Sequence, residues 1–217
     1  MRARTHKVSI ALPTGALLPG ALRLLAKAKL ARLSAPELGR KLLVERAGIR
    51  VILVRPTDVA AYVDHGAADL GIVGKDLLWE SDGSHYELVD LQFGACKLVL
   101  AVPESSKLAG PETWPPLLRI ATKYPRTTAA WFDSRGQAVE VVRLHGSVEL
   151  APQVGLVDGI VDLTATGRTL QENRLRIAGV LGSSTARLVA NQASLKTRTE
   201  AMQAMVGRLR EAVNGAG

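Results

Sequence analysis

An α/β fold in two lobes is what this sequence predicts, on three observations. Short β-branched and aliphatic runs alternate with short helical segments, the alternation runs through two cycles, and a Pro- and Gly-rich stretch between Pro103 and Pro116 separates them. Such alternation builds largely parallel sheets with helices packed over them. The 217 residues suffice for one large domain or two small ones, and 47% apolar residues can fill a core. Only 4% are aromatic, so Val, Leu, Ile and Ala must supply most of it.

In chain order, "KVSIALP" (7–13) reads as a strand, and 15–33 as a helix whose Leu18, Leu22, Leu25 and Leu30 recur at roughly helical spacing. "KLLVE" and "RVILVR" read as two strands joined at Ala47-Gly48. Residues 56–66 form a short helix entered through Pro56, Thr57 and Asp58 and closed by Gly66. "ADLGIVG" is a buried strand, "KDLLWES" a helix, and "YELVDL" and "CKLVLAVP" are successive strands. After the 108–118 loop come strand 119–122, helix 125–136, strand 138–144, helix 148–155, strand 159–163 and a helix from Gly167. Two more strands follow at 175–182 and 186–192. An amphipathic helix over 194–213, capped by Ser194, closes the chain. The last strands and helix are expected to return to the first lobe, giving lobe I as 1–101 with 183–217 and lobe II as 102–182. Two crossings of that kind make a hinged cleft. Ligands in such folds sit at the carboxyl ends of strands, here the loops 12–16, 69–75, 122–124, 145–149 and 162–169.

No run reaches the ~18–20 apolar residues of a membrane span, and the basic N-terminus lacks the apolar core of a secretory signal. Cys96 is the single cysteine, so no intrachain disulfide exists. A cytoplasmic protein that needs no membrane is the simplest expectation. The net charge of +8 fits a solvated surface, an anionic small molecule, or a polynucleotide or acidic protein. Arg2, Arg4, Lys7, Arg23, Lys27, Lys29, Arg32, Lys196 and Arg198 are scattered and form no basic block. Without a stripe or aromatic platforms, nucleic acid ranks last. His6, His65, His85 and His145 lack metal-ligand spacing, and no P-loop is present.

The most informative stretch is "DGIVDLTATGRTL", Asp158 to Leu170. A strand over 159–163 puts Asp162 at its carboxyl end, and Asp158, four residues earlier, shares its face unless it belongs to a turn. The turn that follows opens a helix, whose unpaired N–H groups and Thr hydroxyls form an anion seat, while Gly167 permits close backbone approach. A carboxylate beside a phosphate seat calls for something that bridges them, such as ribose hydroxyls or a divalent metal. A phosphorylated sugar satisfies the whole set. The structural alternative is a capped helix beside a surface Asp.

This string closely resembles the phosphoribosyl-pyrophosphate loop of the ATP phosphoribosyltransferase family. "ALPTG", "VRPTDVAAYVDHGAADLGIVGKD", "RIATKYP" and "LHGSVELAPQVGLVDGIVDL" match in order, so that the resemblance spans about 7–200. It implies a two-lobed fold like the type II periplasmic binding proteins, with a cleft between lobes. It implies the first reaction of histidine biosynthesis, in which N1 of ATP displaces pyrophosphate from phosphoribosyl pyrophosphate with Mg2+. It also implies a homodimer of the short form, which works with a separate regulatory subunit similar to histidyl-tRNA synthetase, where histidine feedback is expected to act.

Carried over by position, Asp158 and Asp162 would hold the ribose hydroxyls, and Thr164, Thr166, Gly167, Arg168 and Thr169 the 5′-phosphate. Arg55 and Lys97 would be the catalytic cations, Arg55 meeting the pyrophosphate across a dimer interface. Gly15, Asp69, Gly71, Lys75 and Lys123 would serve the nucleotide. "GSVE" (146–149), with Ser147 as a cap, would complete the cleft, and no protein metal site is implied. One departure stands out: family members read "LPKGRL" where this chain has "LPTGALL", so Thr14 and Ala16 replace a lysine and an arginine. A hydroxyl does not replace a cation at a phosphate. The rival to an enzyme is therefore a non-catalytic module that binds phosphoribosyl pyrophosphate or nucleotide in the same fold.

Overall fold

The computed structural model describes residues 7–108 and 110–215, so Arg2, Arg4 and His6 lie outside the described residues. The chain opens with β1 (Ser9–Pro13), buried at every position, and α1 (Leu18–Lys27), which starts at a Pro and buries Ala21, Leu22, Leu24 and Leu25. The expected helix to residue 33 stops early. Lys29 turns left-handed (φ 54°), and the Lys29 and Leu30 N–H groups close back on the Ala26 and Leu25 carbonyls, a Schellman ending that drops Leu30 into the core. α2 (Ala35–Leu38) was not expected, although Ser34 and Glu37 form a capping box whose S-x-x-E signal is legible in the sequence.

β2 (Leu43–Arg46) and β3 (Ile49–Val54) form the expected hairpin. Ala47 and Gly48 both take positive φ, as a two-residue hairpin turn requires. α3 (Val59–Asp64), β4 (Leu70–Gly74), α4 (Lys75–Glu80) and β5 (Tyr86–Asp90) follow. The second unit holds β6 (Cys96–Pro103), β7 (Leu117–Thr122), α5 (Pro125–Asp133), β8 (Ala138–Arg143), β9 (Gly159–Thr164), α6 (Arg168–Glu172) and β10 (Leu175–Ser184). β11 (Ala186–Ala190), α7 (Gln192–Thr197) and α8 (Thr199–Asn214) complete the chain.

Two expected helices are corrected. Over 148–155 only a 3-10 turn, Val148–Leu150, forms; Pro152 lacks an N–H and Gly155 is left-handed (φ 73°). The closing helix breaks at Arg198, and its cap is Asn191, whose side chain accepts the Ser194 N–H at 2.9 Å. Ser194 instead lies inside α7 with its hydroxyl buried.

The chain divides into two compact units, 1–94 with 185–217, and 95–184. The expected boundaries at 101/102 and 182/183 fall inside β6 and β10. These strands ladder together from Leu175 opposite Pro103 to Ser184 opposite Cys96, so a cut there would split one ladder. The first unit is built on a six-stranded sheet, β2-β3-β1-β4-β11-β5. Ile10, Leu12, Leu70, Ile72 and Leu188 pack toward α1 and α8, and Val54, Val73 and Val189 pack with α3. The second unit has a five-stranded sheet, β10-β6-β9-β7-β8, with Val99, Ala101, Ala121 and Ile160 under the 148–157 segment and Phe132 of α5 fully buried.

Neither sheet is largely parallel, as alternation had suggested. β1 pairs in parallel with β3 and β4, and β7 with β8 and β9, while β2, β5, β6, β10 and β11 pair antiparallel. Of these antiparallel pairings only β2–β3 is a hairpin; β4–β11, β5–β11, β6–β9 and β6–β10 join strands distant in the chain, which apolar runs alone do not reveal.

Candidate active site

The carboxyl end of β9 carries the richest polar constellation in the second unit. β9 is central in its sheet, and Gly159 at its start has no room for more: a Cβ there would sit 3.0 Å from the Ala101 carbonyl. Asp162, 9% exposed, takes the Leu163 N–H on Oδ1 at 2.9 Å, with Lys123 Nζ 3.6 Å from Oδ2. Burial raises its pKa above the ordinary aspartate value. The Leu163 N–H and the Lys123 charge oppose that rise, and the nearby Glu149 charge adds to it.

Beyond Asp162 the chain makes a turn tied by its own hydroxyls. Thr164 Oγ1 accepts the Gly167 N–H at 2.8 Å, and Thr166 Oγ1 accepts the Arg168 N–H at 3.4 Å. Each hydroxyl that accepts still has its own proton to donate. Gly167 is left-handed (φ 79°) and nothing lies within 4 Å of where its Cβ would stand, so the backbone is open to a close ligand. The opening N–H groups of α6 have no intrahelical partner. A pocket of about 200 Å³ sits here, walled by Glu149, Asp162, the turn and the first residues of α6. Arg168 lines it but spends its Nε on Glu172 at 2.8 Å and is 82% exposed.

Neighbouring strands bring cations to the same edge. Antiparallel pairing sets Lys97 opposite Thr164 and Val99 opposite Asp162, so Lys97 shares their face. β7 and β9 run parallel, which puts Lys123, just past β7, beside Asp162. Glu149 reaches the pocket from the Val148–Leu150 turn, preceded by Ser147 with φ 46° and no side-chain cap bond. In the sequence Glu149 is only the end of "GSVE"; its place as a second carboxylate follows from the left-handed turn at Ser147.

Asp158 does not join this group. It precedes β9 at the opposite end of the strand, where its Oδ2 accepts the Arg119 N–H at 2.8 Å and its Oδ1 lies 3.4 Å from the Arg119 guanidinium. Its equal parity with Asp162 was correct arithmetic for a residue that lies in a turn.

In the first unit, Gly15, Arg55 and Lys75 follow β1, β3 and β4, parallel neighbours whose carboxyl ends share one edge. Gly15 is left-handed (φ 81°) with open space around it, Arg55 is exposed, and Lys75 pairs with Glu87, which Arg187 also contacts at 3.5 Å. Asp69 and Gly71 are corrected to internal roles. Asp69 is buried at the amino end of β4 and accepts from the Ser9 N–H, the Ser9 and Ser194 hydroxyls and Arg198, at 2.7–3.0 Å. Gly71 makes room for Val63 and Val59, whose methyls would lie 2.7 and 2.8 Å from an added Cβ.

Comparison with known proteins agrees along the chain. The model of the ATP phosphoribosyltransferase family matches residues 55–211. The ATP phosphoribosyltransferase of Caldanaerobacter subterraneus subsp. tengcongensis is 44% identical, covering 96% of this chain and 98% of its own. That of Symbiobacterium thermophilum is 48% identical, covering 95% of each. Among solved structures, the ATP phosphoribosyl transferase (HisG:HisZ) complex from Thermotoga maritima matches with TM-score 0.81 and 34% identity, over 96% of this chain and 99% of that one. The periplasmic aliphatic sulphonate binding protein SsuA of Escherichia coli, 15% identical, shares the fold with TM-score 0.63 over 95% of this chain and 68% of that one.

Proposed function

Because this chain belongs to the ATP phosphoribosyltransferase family, transferring the phosphoribosyl group of phosphoribosyl pyrophosphate to N1 of ATP, we propose that the β9–α6 pocket is its phosphoribosyl-pyrophosphate seat. The observation that carries this reading is a buried carboxylate, Asp162, next to a hydroxyl-rich turn opened by Gly167. In it, Thr164, Thr166, Gly167, Arg168 and Thr169 hold the 5′-phosphate through hydroxyl and backbone N–H donors. Asp162 and Glu149 take the ribose hydroxyls. Lys97 and Lys123 supply positive charge toward the departing pyrophosphate, and Gly15, Arg55 and Lys75 serve ATP and its phosphates.

Displacement at the anomeric carbon develops positive charge on the sugar and negative charge on the leaving group. The chain's contribution is alignment and preorganised charge: carboxylates near the ribose, lysines near the leaving oxygens. N1 of ATP already carries a lone pair, so no general base is assigned. Among the described residues no group of three or more His, Cys, Asp or Glu gathers to hold a metal, so magnesium would come with the substrates' phosphate oxygens, the way this ion usually binds. When bound, the ion would neutralise pyrophosphate charge.

A HisZ-type regulatory subunit is inferred as a partner on the likeness to the Thermotoga maritima complex, while a homodimer follows from the sequence resemblance alone. A cytoplasmic setting fits a biosynthetic enzyme with one cysteine. Among the described residues no helix is long and apolar enough to cross a membrane.

The test is turnover with magnesium, ATP and phosphoribosyl pyrophosphate, product identified by mass, with and without the regulatory subunit. Phosphoribosyl-ATP is expected, and its appearance only with the partner would assign the charge missing at Thr14 and Ala16 to the assembly. No product in either mixture, with phosphoribosyl pyrophosphate still bound, would make the chain a sensor.

A further inference from the structure

We infer that Thr122 is a positioning residue for the phosphoribosyl-pyrophosphate pocket: its buried hydroxyl holds the backbone on both sides of the Lys123–Asp162 pair. The inference rests on the pocket assignment above.

Thr122, the last residue of β7, is fully buried. Its Oγ1 donates to the Val161 carbonyl at 2.7 Å and accepts the Tyr124 N–H at 2.9 Å. Val161 directly precedes Asp162, and Tyr124 directly follows Lys123. One oxygen therefore ties the peptide before the acid to the peptide after the base.

The β7–β9 register runs Ile120 to Gly159, Ala121 to Ile160 and Thr122 to Val161, and ends there. The chain then bends at Lys123 and enters α5 at Pro125, which has no N–H to offer. Where the ladder stops, the hydroxyl acts as its last rung. Alternation turns the Lys123 side chain to the face opposite Thr122, the face Asp162 occupies. At 3.6 Å the Lys123–Asp162 contact is long enough that a small backbone drift would end it.

A hydroxyl that only satisfied the core would affect folding and nothing specific to one substrate. The test therefore measures binding of phosphoribosyl pyrophosphate and of ATP separately by calorimetry with magnesium, across pH. Thr122→Val keeps the volume and removes the hydroxyl. It is expected to weaken phosphoribosyl-pyrophosphate binding roughly tenfold, to leave ATP binding within about twofold, and to shift the acid limb of phosphoribosyl-pyrophosphate binding to higher pH as Asp162 loses its lysine. Thr122→Ser should restore all three. Should the valine variant not fold, Thr122→Ser and Thr122→Ala serve as the pair, since they differ only in the hydroxyl; the alanine form should be the weaker binder. Equal loss of both ligands, or unchanged affinity and pH limb without the hydroxyl, would overturn the proposal. Asp162→Asn is the control on the pocket itself. If that variant binds phosphoribosyl pyrophosphate normally, the pocket reading fails. If it binds weakly while the hydroxyl variants bind normally, only the role of Thr122 fails.

Discussion

Asp162 has two consequences that pull in opposite directions. As an acceptor for ribose hydroxyls it should be charged, and Asp162→Asn should weaken phosphoribosyl-pyrophosphate binding roughly 10- to 100-fold and ATP binding far less, measured by calorimetry. Equal loss of both would show that the pocket does not separate the substrates. As a buried carboxylate with a raised pKa it opposes the fold when ionised. A carboxyl group whose pKa is higher in the folded state stabilises that state below its unfolded pKa, and this contribution is lost as pH rises through the folded value. Without ligand, Asp162→Asn should therefore melt higher than the parent at neutral pH, with the gain vanishing as pH falls below the ordinary aspartate value of 3.8. A melting curve unchanged by the substitution at every pH would mean that Leu163 and Lys123 fully offset the burial.

Helix ends and turns differ in how far neighbouring residues encode them. The Ala47-Gly48 hairpin turn was legible because two short strand-type runs flank a small pair able to take positive φ. The end of α1 was not, since a lysine at the left-handed C′ position carries no Gly or Asn signal. Lys29→Gly should therefore stabilise the protein by about 1 kcal/mol in denaturant titration. Arg208 tempers this gain little, since it donates to the Ala28 and Lys29 carbonyls, which glycine keeps. A destabilised variant would mean that the lysine side chain contributes packing greater than the strain. The break at Arg198 was hidden for another reason: Thr197, Arg198 and Thr199 continue an acceptable helical pattern, and only Asp69, sixty residues beyond Ser9 and far from Ser194, gathers the side chains that bend it.

For the whole molecule, each unit has its own sheet, its own core and its own edge of candidate site residues. That separation predicts distinct footprints in hydrogen exchange. Phosphoribosyl pyrophosphate should protect 148–150 and 159–172 of the second unit, leaving β1, β3 and β4 nearly unchanged. Protection appearing first at Gly15 and Arg55 would reverse the assignment of substrates to units.

By itself the sequence determined the α/β class, nearly every strand and the turn of Thr164–Thr169, because strand periodicity, glycine and hydroxyl placement act over a few neighbouring residues. The matched motifs also sufficed for the family and its reaction. Tertiary structure alone decided which polar residues remain available to a ligand. Asp158 and Asp162 are near twins in sequence, yet one accepts from Arg119 while the other is buried beside Lys123. Asp69 and Gly71 sit in a strongly matching motif yet are consumed by buried hydrogen bonds and by valine packing. A carboxylate's role depends on which donors the fold brings within 3 Å of it, and those donors, Arg119 for Asp158 and Ser194 and Arg198 for Asp69, come from strands and helices distant in the chain.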